Sequence, residues 1–75
     1  MYHSIQFALA ITVDLETSPK QWQERVAIRQ GTQMRAQIKP YVVESKHGPI
    51  EVADLFFEDG TTARMVPFAH FSFVE

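Results

Sequence analysis

Residues 50–66, IEVADLFFEDGTTARMV, decide the fold of this chain because they contain its clearest turn signal. Asp59 and Gly60 stand between two apolar runs, and an Asp-Gly pair in that position is typical of a tight β-hairpin. Glycine enters the left-handed backbone region that such a turn needs without steric cost. The stretch therefore predicts two antiparallel strands and an antiparallel sheet built around them.

The first of these two strands is apolar on both faces. Successive residues of a strand point to opposite sides of the sheet, so Phe56 and Phe57 cannot share a face. A strand of this kind needs either a closed barrel around it or a second chain against it. Burial of both rings within one chain would indicate a barrel or sandwich, whereas an exposed ring would mark an interface.

Period-two alternation extends the predicted sheet over most of the chain. In residues 4–15 every second residue is apolar, namely Ile5, Phe7, Leu9, Ile11, Val13 and Leu15. The pattern returns after Gly31 at Met34, Ala36 and Ile38, and Pro40 then indicates a sheet edge or a bulge. A polar loop at residues 44–49 precedes the hairpin, and Pro67 precedes a short last strand. The sequence thus predicts one strand over residues 4–15, then the separate segment 19–30, and finally a meander of three or four strands.

Residues 19–30, PKQWQERVAIRQ, admit two interpretations. Residues 18–21, Ser-Pro-Lys-Gln, form a helix-capping pattern, and Gly31 is well placed to end a helix. The Gln, Glu, Arg and Ala residues between them are good helix formers. Val26 and Ile28 suit a strand instead, with a turn at Gly31. We predict a helix over about 19–30.

The predicted fold class is α+β, a small curved antiparallel sheet of four to five strands with one helix over about 19–30. The alternative is a mainly β fold in which residues 14–31 form a long loop. Residues 33–75 then resemble SH3-like small barrels, which also close with a hairpin, a short strand, a proline-led turn and a terminal strand. The acidic loop and paired aromatics of ligand-binding SH3 domains are not evident here, so the likeness implies no peptide ligand.

The length and composition predict one small domain over residues 1–75 that associates with another chain. A domain of this size buries only about 60% of its unfolded surface, and the chain has no cysteine with which to form a disulfide. We therefore expect a homodimer. The apolar run at residues 5–13 lacks a basic segment before it and is far shorter than the ~20 residues of a membrane span. These features predict a cytoplasmic protein that does not enter a membrane.

The charges are divided along the chain. Residues 20–46 carry six lysines and arginines against two glutamates, and residues 47–75 carry one arginine against five carboxylates. Four of the basic residues, Arg25, Arg29, Arg35 and Lys39, form a candidate stripe for phosphate groups. A nucleic-acid-binding accessory protein is therefore one alternative function. A net charge of −2 and a pI near 5.9 favour a solvated polar surface instead.

A second alternative is a small metal-dependent or acid–base enzyme with a site shared between subunits. His47 and His70 flank the carboxylates Asp54, Glu58 and Asp59 in sequence, and imidazole with carboxylate can transfer protons or hold a metal. No HxH or HExxH spacing, nucleophile elbow or phosphate-binding glycine loop is present. The sequence accordingly predicts no enzyme activity, cofactor, metal site or identifiable small-molecule substrate.

The function that we expect is a non-enzymatic interaction module that self-associates and binds another macromolecule, a protein rather than nucleic acid. In the terminal stretch PFAHFSFVE, residues 67–75, alternation assigns Phe71 and Phe73 to the core and leaves Phe68 and His70 at the surface. The candidate binding residues are Arg25, Arg29, Arg35, Lys39, Phe56, Phe57, Phe68 and His70.

Overall fold

The computed structural model describes residues 1–17 and 23–74, and these residues are almost entirely β-strand. Within them the strands are β1 (His3–Phe7), β2 (Ile11–Thr17), β3 (Gln23–Ile28), β4 (Gln33–Ser45), β5 (Gly48–Phe57), β6 (Thr61–Pro67) and β7 (Phe71–Phe73). A single 3-10 turn at Phe68–His70 separates β6 from β7 in this part of the chain. The described residues include no helix that is long and apolar enough to span a membrane.

The seven strands form one antiparallel sheet in the order β3-β2-β6-β5-β4-β1-β7. The connection between β1 and β2 forces this sheet to curl. These strands lie four positions apart in the order, or about 19 Å across a flat sheet. The three residues that join them can bridge only about 14 Å. The sheet therefore bends into a half-barrel. Bonds from Phe7 N to Thr32 O and from Gly31 N to Phe7 O extend the pairing of β1 with β4 to the start of the connection.

The core lies on the concave side of the half-barrel. Its buried members are Ile5, Phe7, Ile28, Ala36, Ala53, Leu55, Phe57, Ala63, Val66 and Phe71. Small residues occupy the middle of this surface, at Ala36, Ala53 and Ala63, and larger side chains surround them. The curvature lets one sheet bury its own apolar face without a covering helix.

The prediction of an α+β fold with one helix is wrong, and so is the count of four to five strands. Gln23–Ile28 of the predicted helix is β3, which pairs with β2 through contacts such as Val13 with Val26 and Ile11 with Ile28. Helix propensity is a weak preference, and burial of Ile28 in the core outweighs it. Residues 18–22, which include the capping pattern at 18–21, lie outside the described part of the chain. The mainly β alternative is confirmed, although its long loop at 14–31 is not, because two strands occupy most of that range.

The first predicted strand is in fact two strands. Residues 8–10 form a bend, in which Ala8 N donates a hydrogen bond to His70 O. The bend leaves Leu9 half exposed, although alternation assigned it to the apolar face. It also carries the chain from β1, beside β4 and β7, to β2 on the other side of the half-barrel.

The hairpin predicted at Asp59-Gly60 is confirmed. Gly60 N donates to Phe57 O across the turn, and Gly60 has a φ of +91°, in the left-handed region. Asp59 Oδ1 accepts hydrogen bonds from the backbone N–H and the hydroxyl of Thr61. These bonds hold the pKa of Asp59 below its ordinary value, so the carboxylate stabilises the turn in its charged form.

Candidate functional site: a cleft and a projecting arm

A cleft opens where β2 and β6 separate. The two strands pair only from Leu15 with Ala63 to Thr17 with Thr61. Beyond that point residues 11–14 of β2 and residues 64–67 of β6 line opposite walls of a cavity of about 580 Å³, and Glu16 and His70 complete the lining. This volume falls within the range of small ligand sites.

A polar network on the convex face holds β6 in place beside the cleft. Arg64 donates from Nε to Glu16 Oε2 at 2.8 Å and from Nη1 to Asp54 Oδ2 at 3.3 Å. The other oxygen of Asp54 accepts from the Tyr41 hydroxyl at 2.8 Å and from Met65 N at 3.0 Å. The carboxylate side chains of Glu16 and Asp54 are only 11% and 12% exposed, whereas that of Arg64 is 59% exposed. Two sheltered acids are thus bridged by one guanidinium that still faces water.

The pKa shifts in this network favour fixed charges over proton transfer. The hydrogen bond and charge of Glu16 raise the pKa of Arg64 above its already high value. Partial burial and the hydrogen bond to Asp54 raise the pKa of Tyr41. Both pKa values move further above neutral pH, so at neutral pH Arg64 remains a cation and Tyr41 remains a neutral hydrogen-bond donor.

A β-bulge gives β6 its path beside the cleft. Ala53 pairs with Val66 and Leu55 with Ala63, so both Arg64 and Met65 stand opposite Asp54. Met65 has a φ of +57°, a left-handed conformation that a non-glycine residue adopts only at a cost of about 1 kcal/mol. The hydrogen bond from Met65 N to Asp54 helps to hold this conformation.

Met65→Gly is expected to raise the free energy of unfolding by about 0.5 kcal/mol, and Met65→Val to lower it by 1–2 kcal/mol, about the cost of a strained residue. The Met65 side chain is 57% exposed, so its removal loses little packing. Gln37→Gly is a matched control, because exposed Gln37 lies in β4 with no positive φ and glycine there should destabilise. Urea unfolding of the three variants measures the effect. A loss of stability in Met65→Gly equal to that in Gln37→Gly would contradict the strain.

The second notable feature is an arm formed by β4 and β5. Among the described residues, β1 pairs with β4 only as far as Ala36, and β6 pairs with β5 only from Val52 onward. Residues 41–45 and 48–51 therefore continue as a two-stranded hairpin beyond their neighbours. Gly48, with a φ of +104°, and a hydrogen bond from Ser45 Oγ to Gly48 O close its tip.

A proline lies on the outer edge of each strand, Pro49 within the arm on β5 and Pro40 directly before the arm on β4. Pro40 pairs with Ala53 and Pro49 pairs with Glu44 in the β4–β5 ladder. Proline has no N–H to donate, so both must be non-hydrogen-bonded pairs in which the ring nitrogen faces the outer edge. Proline at an edge discourages the addition of another strand. Contacts made by the arm are accordingly expected to use its side-chain faces.

The faces of the arm expose apolar side chains. Val42 is 57% exposed on the concave side, where Pro40, Glu51 and Phe68 line a cavity of about 330 Å³ with it. On the other side Ile50 is 40% exposed and stands opposite Val43. A short two-stranded ribbon with apolar groups on both faces is marginal in water by itself.

The structure divides the predicted basic stripe between distant strands. Arg25 is on β3, and Arg35 and Lys39 are on β4, four strand positions away or about 19 Å along the sheet. Arg25 pairs with Asp14 at 3.1 Å and Arg35 with Glu58 at 3.5 Å, and Arg29 is exposed in the turn after β3. Much of the basic charge therefore faces acidic groups of the same chain.

The predicted aromatic residues also separate. Phe57 is buried in the core, and Phe56 is half-buried on the convex face between Gln37 and Thr62. Phe68 packs on Phe71 with ring centroids 5.2 Å apart. His70 lies at the end of the cleft.

The histidines stand at different sites. His47 is in the turn at the tip of the arm, and His70 is beside the cleft, whose lining does not include His47. Over residues 1–17 and 23–74, no three His, Asp or Glu side chains are grouped in a way that could hold a metal ion.

Sequence reasoning missed the network of Glu16, Tyr41, Asp54 and Arg64. Part of it was detectable, because Asp54 interrupts an apolar run and Arg64 is the only lysine or arginine in residues 47–75. The predicted hairpin places these two residues nearly opposite one another. No local pattern indicated Glu16, which reaches Arg64 only because β2 pairs with β6.

Comparisons with known proteins add no relative to this description. The chain matches no protein-family model, no curated protein and no solved structure.

Proposed function

We propose that the chain is a non-enzymatic interaction module that forms a homodimer and binds another protein. The observation that carries the proposal is the projecting arm, whose apolar side chains Val42 and Ile50 are exposed on opposite faces. A small sheet without disulfides gains stability when a second chain covers such groups. The missing cysteines also support a cytoplasmic location.

The charges give less support to self-association than the arm does. The basic and acidic halves of the sequence already meet within one chain, where Lys39 stands opposite Asp54 and Arg35 pairs with Glu58. Association is therefore expected to depend on apolar contacts and to change little with salt. The same intrachain pairs reduce the attraction for nucleic acid.

Light scattering with size-exclusion chromatography at roughly 50 µM tests the dimer, a concentration that detects micromolar affinity. We expect twice the mass of the 75-residue chain, and at least tenfold weaker association in Val42→Lys or Ile50→Lys. The variant with the larger effect identifies the face that is used. Leu9→Lys is the matched control, because Leu9 is a half-exposed apolar residue outside the arm. A monomeric wild type, or equal loss in Leu9→Lys, would rule out the arm as the interface.

A further inference from the structure

We infer that the outer edge of β3 binds an extended segment of a partner protein as an added antiparallel strand, with an apolar residue opposite Val26 and a carboxylate opposite Arg25. The inference rests on the proposed binding of a second protein but not on self-association through the arm. It gives that second protein a site of its own, separate from the arm.

β3 is a terminal strand of the sheet. Among the described residues it pairs with β2 alone, and that pairing shows no register shift along the strand. Residues 23–28 contain no proline of the kind that lies on the outer edges of β4 and β5. At the opposite end of the sheet β7 has only three residues, and Phe71 N already donates to Phe68 O. The edge of β3 is therefore the longer of the two and is not blocked by proline.

The prolines of β4 and β5 fix which backbone groups of β5 face β6. Pro40 and Pro49 belong to non-hydrogen-bonded pairs, so the odd-numbered residues of β5 direct their N–H and C=O groups away from β4 and toward β6. The turn bond that Phe57 O accepts on the β6 side agrees with this assignment. Leu55 with Ala63 is consequently a hydrogen-bonded pair between β5 and β6.

The same alternation continues across β2 to β3. Because Ala63 bonds to β5, its pair with Leu15 of β2 is not hydrogen-bonded, and Leu15 directs its backbone groups to Glu24 of β3. Alternation from Glu24 onward means that Arg25 and Ala27 do not bond to β2. Their N–H and C=O groups face outward, where the described residues supply no partner. An added antiparallel strand satisfies these groups, and this is a common mode of peptide recognition.

A second copy of β3 fits this edge poorly. Two-fold pairing places outward residues opposite outward residues, so its centre is one residue of the strand. A centre at Glu24 or Arg25 puts like charges directly opposite each other, and a centre at Val26 makes the two copies of Arg25 diagonal neighbours. A centre at Ala27 puts Arg25 opposite Arg29. Like charges at these positions destabilise a sheet, so the edge favours a different chain.

The charges at the edge favour a carboxylate opposite Arg25. The Arg25 side chain is largely exposed and binds Asp14 through Nε at 3.1 Å, but Asp14 lies on β2, away from the open edge. Arg29 in the turn after β3 adds positive charge, and Glu24 points to the opposite face. Arg64 already shows that one exposed guanidinium can bridge two carboxylates in this fold. A carboxylate of the partner can share Arg25 with Asp14 in the same way.

The concave side of the edge favours an apolar residue opposite Val26. Val26 is half-buried and pairs with Val13, which packs against the core. Ile28, its neighbour on the same face, belongs to the core. A residue opposite Val26 on the added strand lies on this face and covers the exposed part of Val26. A segment that places an apolar residue next to an acidic one therefore matches both faces of the edge.

The test uses the full chain labelled with ¹⁵N and a capped five-residue peptide, Val-Thr-Val-Glu-Thr, whose central valine is opposite Val26 and whose glutamate is opposite Arg25. We expect titration to shift the backbone amide signals of residues 24–28, most strongly at Arg25 and Ala27, whose N–H groups gain acceptors. Lysine in place of the glutamate should weaken binding about fivefold, because it stands opposite a like charge.

N-methylation of the peptide separates strand addition from other binding modes. The second and fourth residues direct their N–H groups to β3, so N-methylation at both should weaken binding roughly tenfold or more. The first and third residues direct their N–H groups away from β3. N-methylation at those two positions is the matched control and should leave binding in place.

Ala27→Pro is the corresponding change in the protein. Proline removes the outward N–H of Ala27 but no bond to β2, because Ala27 and Thr12 are not a hydrogen-bonded pair. The variant should fold and lose peptide binding, whereas Ala27→Val, the matched control, keeps the N–H and should bind as the wild type does. The peptide comparisons need no variant, so they stand even if Ala27→Pro misfolds.

Each result bears on a separate part of the inference. Shifts confined to other residues, or no shifts, would overturn the site, and equal binding of the two methylated peptides would overturn strand addition. Equal binding of the lysine peptide would overturn the charge preference. Shifts of residues 24–28 on dilution of the protein alone would overturn the choice of a different chain over a second copy. A dimer that binds no peptide contradicts only this inference, and a monomer that binds it contradicts only the arm.

Discussion

Replacing Phe57 by alanine is expected to lower the free energy of unfolding by about 3–4 kcal/mol, the cost of a large cavity in a core. Phe57 is 3% exposed and lies in the concave core, where it stands opposite Ala36 on β4. Neither Ala36 nor Ala63 is large enough to fill the space that the ring would leave. For a chain of 75 residues this loss is a large part of the total stability.

Phe56→Ala is the matched control, because it removes the same ring from the adjacent position on the other face. Phe56 is half-buried between Gln37 and Thr62, and we expect a loss of about 1 kcal/mol from its smaller buried area. Urea unfolding at several protein concentrations compares the two variants and separates folding from association. Equal losses, or a larger one for Phe56→Ala, would mean that the concave side is not the core.

The hairpin and the faces of its strands could be predicted because they depend on neighbours in sequence. The Asp-Gly turn fixes the register nearby, and alternation then places Phe56 and Phe57 on opposite faces. Two-faced apolarity left a closed barrel and a second chain as alternatives, and the half-barrel buries Phe57 on its concave side while Phe56 stays half-buried on the convex side. The last strand followed the rule only in part, since Phe71 is buried and Phe73 is half exposed.

The wrong predictions arose where distant partners decide the structure. Helix-forming residues dominate the segment before Gly31, but Val26 and Ile28 gain partners on β2 that no local pattern reveals. The bend at residues 8–10 is likewise dictated by where β1 and β2 must pair. Position within the sheet outweighed propensity in both cases.

The candidate sites also depend more on distant strand pairing than on neighbours in sequence. In the sequence Asp54 stood out only as one of the carboxylates between His47 and His70, whereas in the fold it lies in a sheltered network. The cleft could not be predicted, because it exists only where the bulge at Met65 turns β6 away from β2. A basic stripe, by contrast, was plausible in sequence but is dispersed by the strand order.

Asp54→Ala is expected to lower the free energy of unfolding by about 2–3 kcal/mol, the cost of leaving sheltered donors without an acceptor. The change removes the acceptor for Tyr41, Met65 and Arg64 at once. Arg64 can recover hydrogen bonds from water because its side chain is largely exposed, which keeps the loss below that of a fully buried ion pair. Thermal and urea unfolding measure it.

Asp54→Asn keeps a hydrogen-bond acceptor at this position but removes the negative charge. The amide oxygen can still accept from the Tyr41 hydroxyl and Met65 N, so we expect a loss of only about 1 kcal/mol, typical of one weakened hydrogen bond. Asp14→Asn is the surface control, because its ion pair with Arg25 is exposed and should contribute less than about 0.5 kcal/mol. Similar losses for the alanine and asparagine variants of Asp54 would assign the stabilisation to charge alone.

The position of Asp54 also connects stability to the cleft. Its bond to Met65 N fixes the bulge that separates β6 from β2, and its contact with Arg64 orients the side chain that lines the convex wall. Asp54→Ala should therefore shift the backbone amide NMR signals of residues 64–66 even where the protein remains folded, whereas Phe56→Ala, outside the cleft lining, should leave them in place. Unchanged amide signals in folded Asp54→Ala would show that the bulge keeps its conformation without this carboxylate.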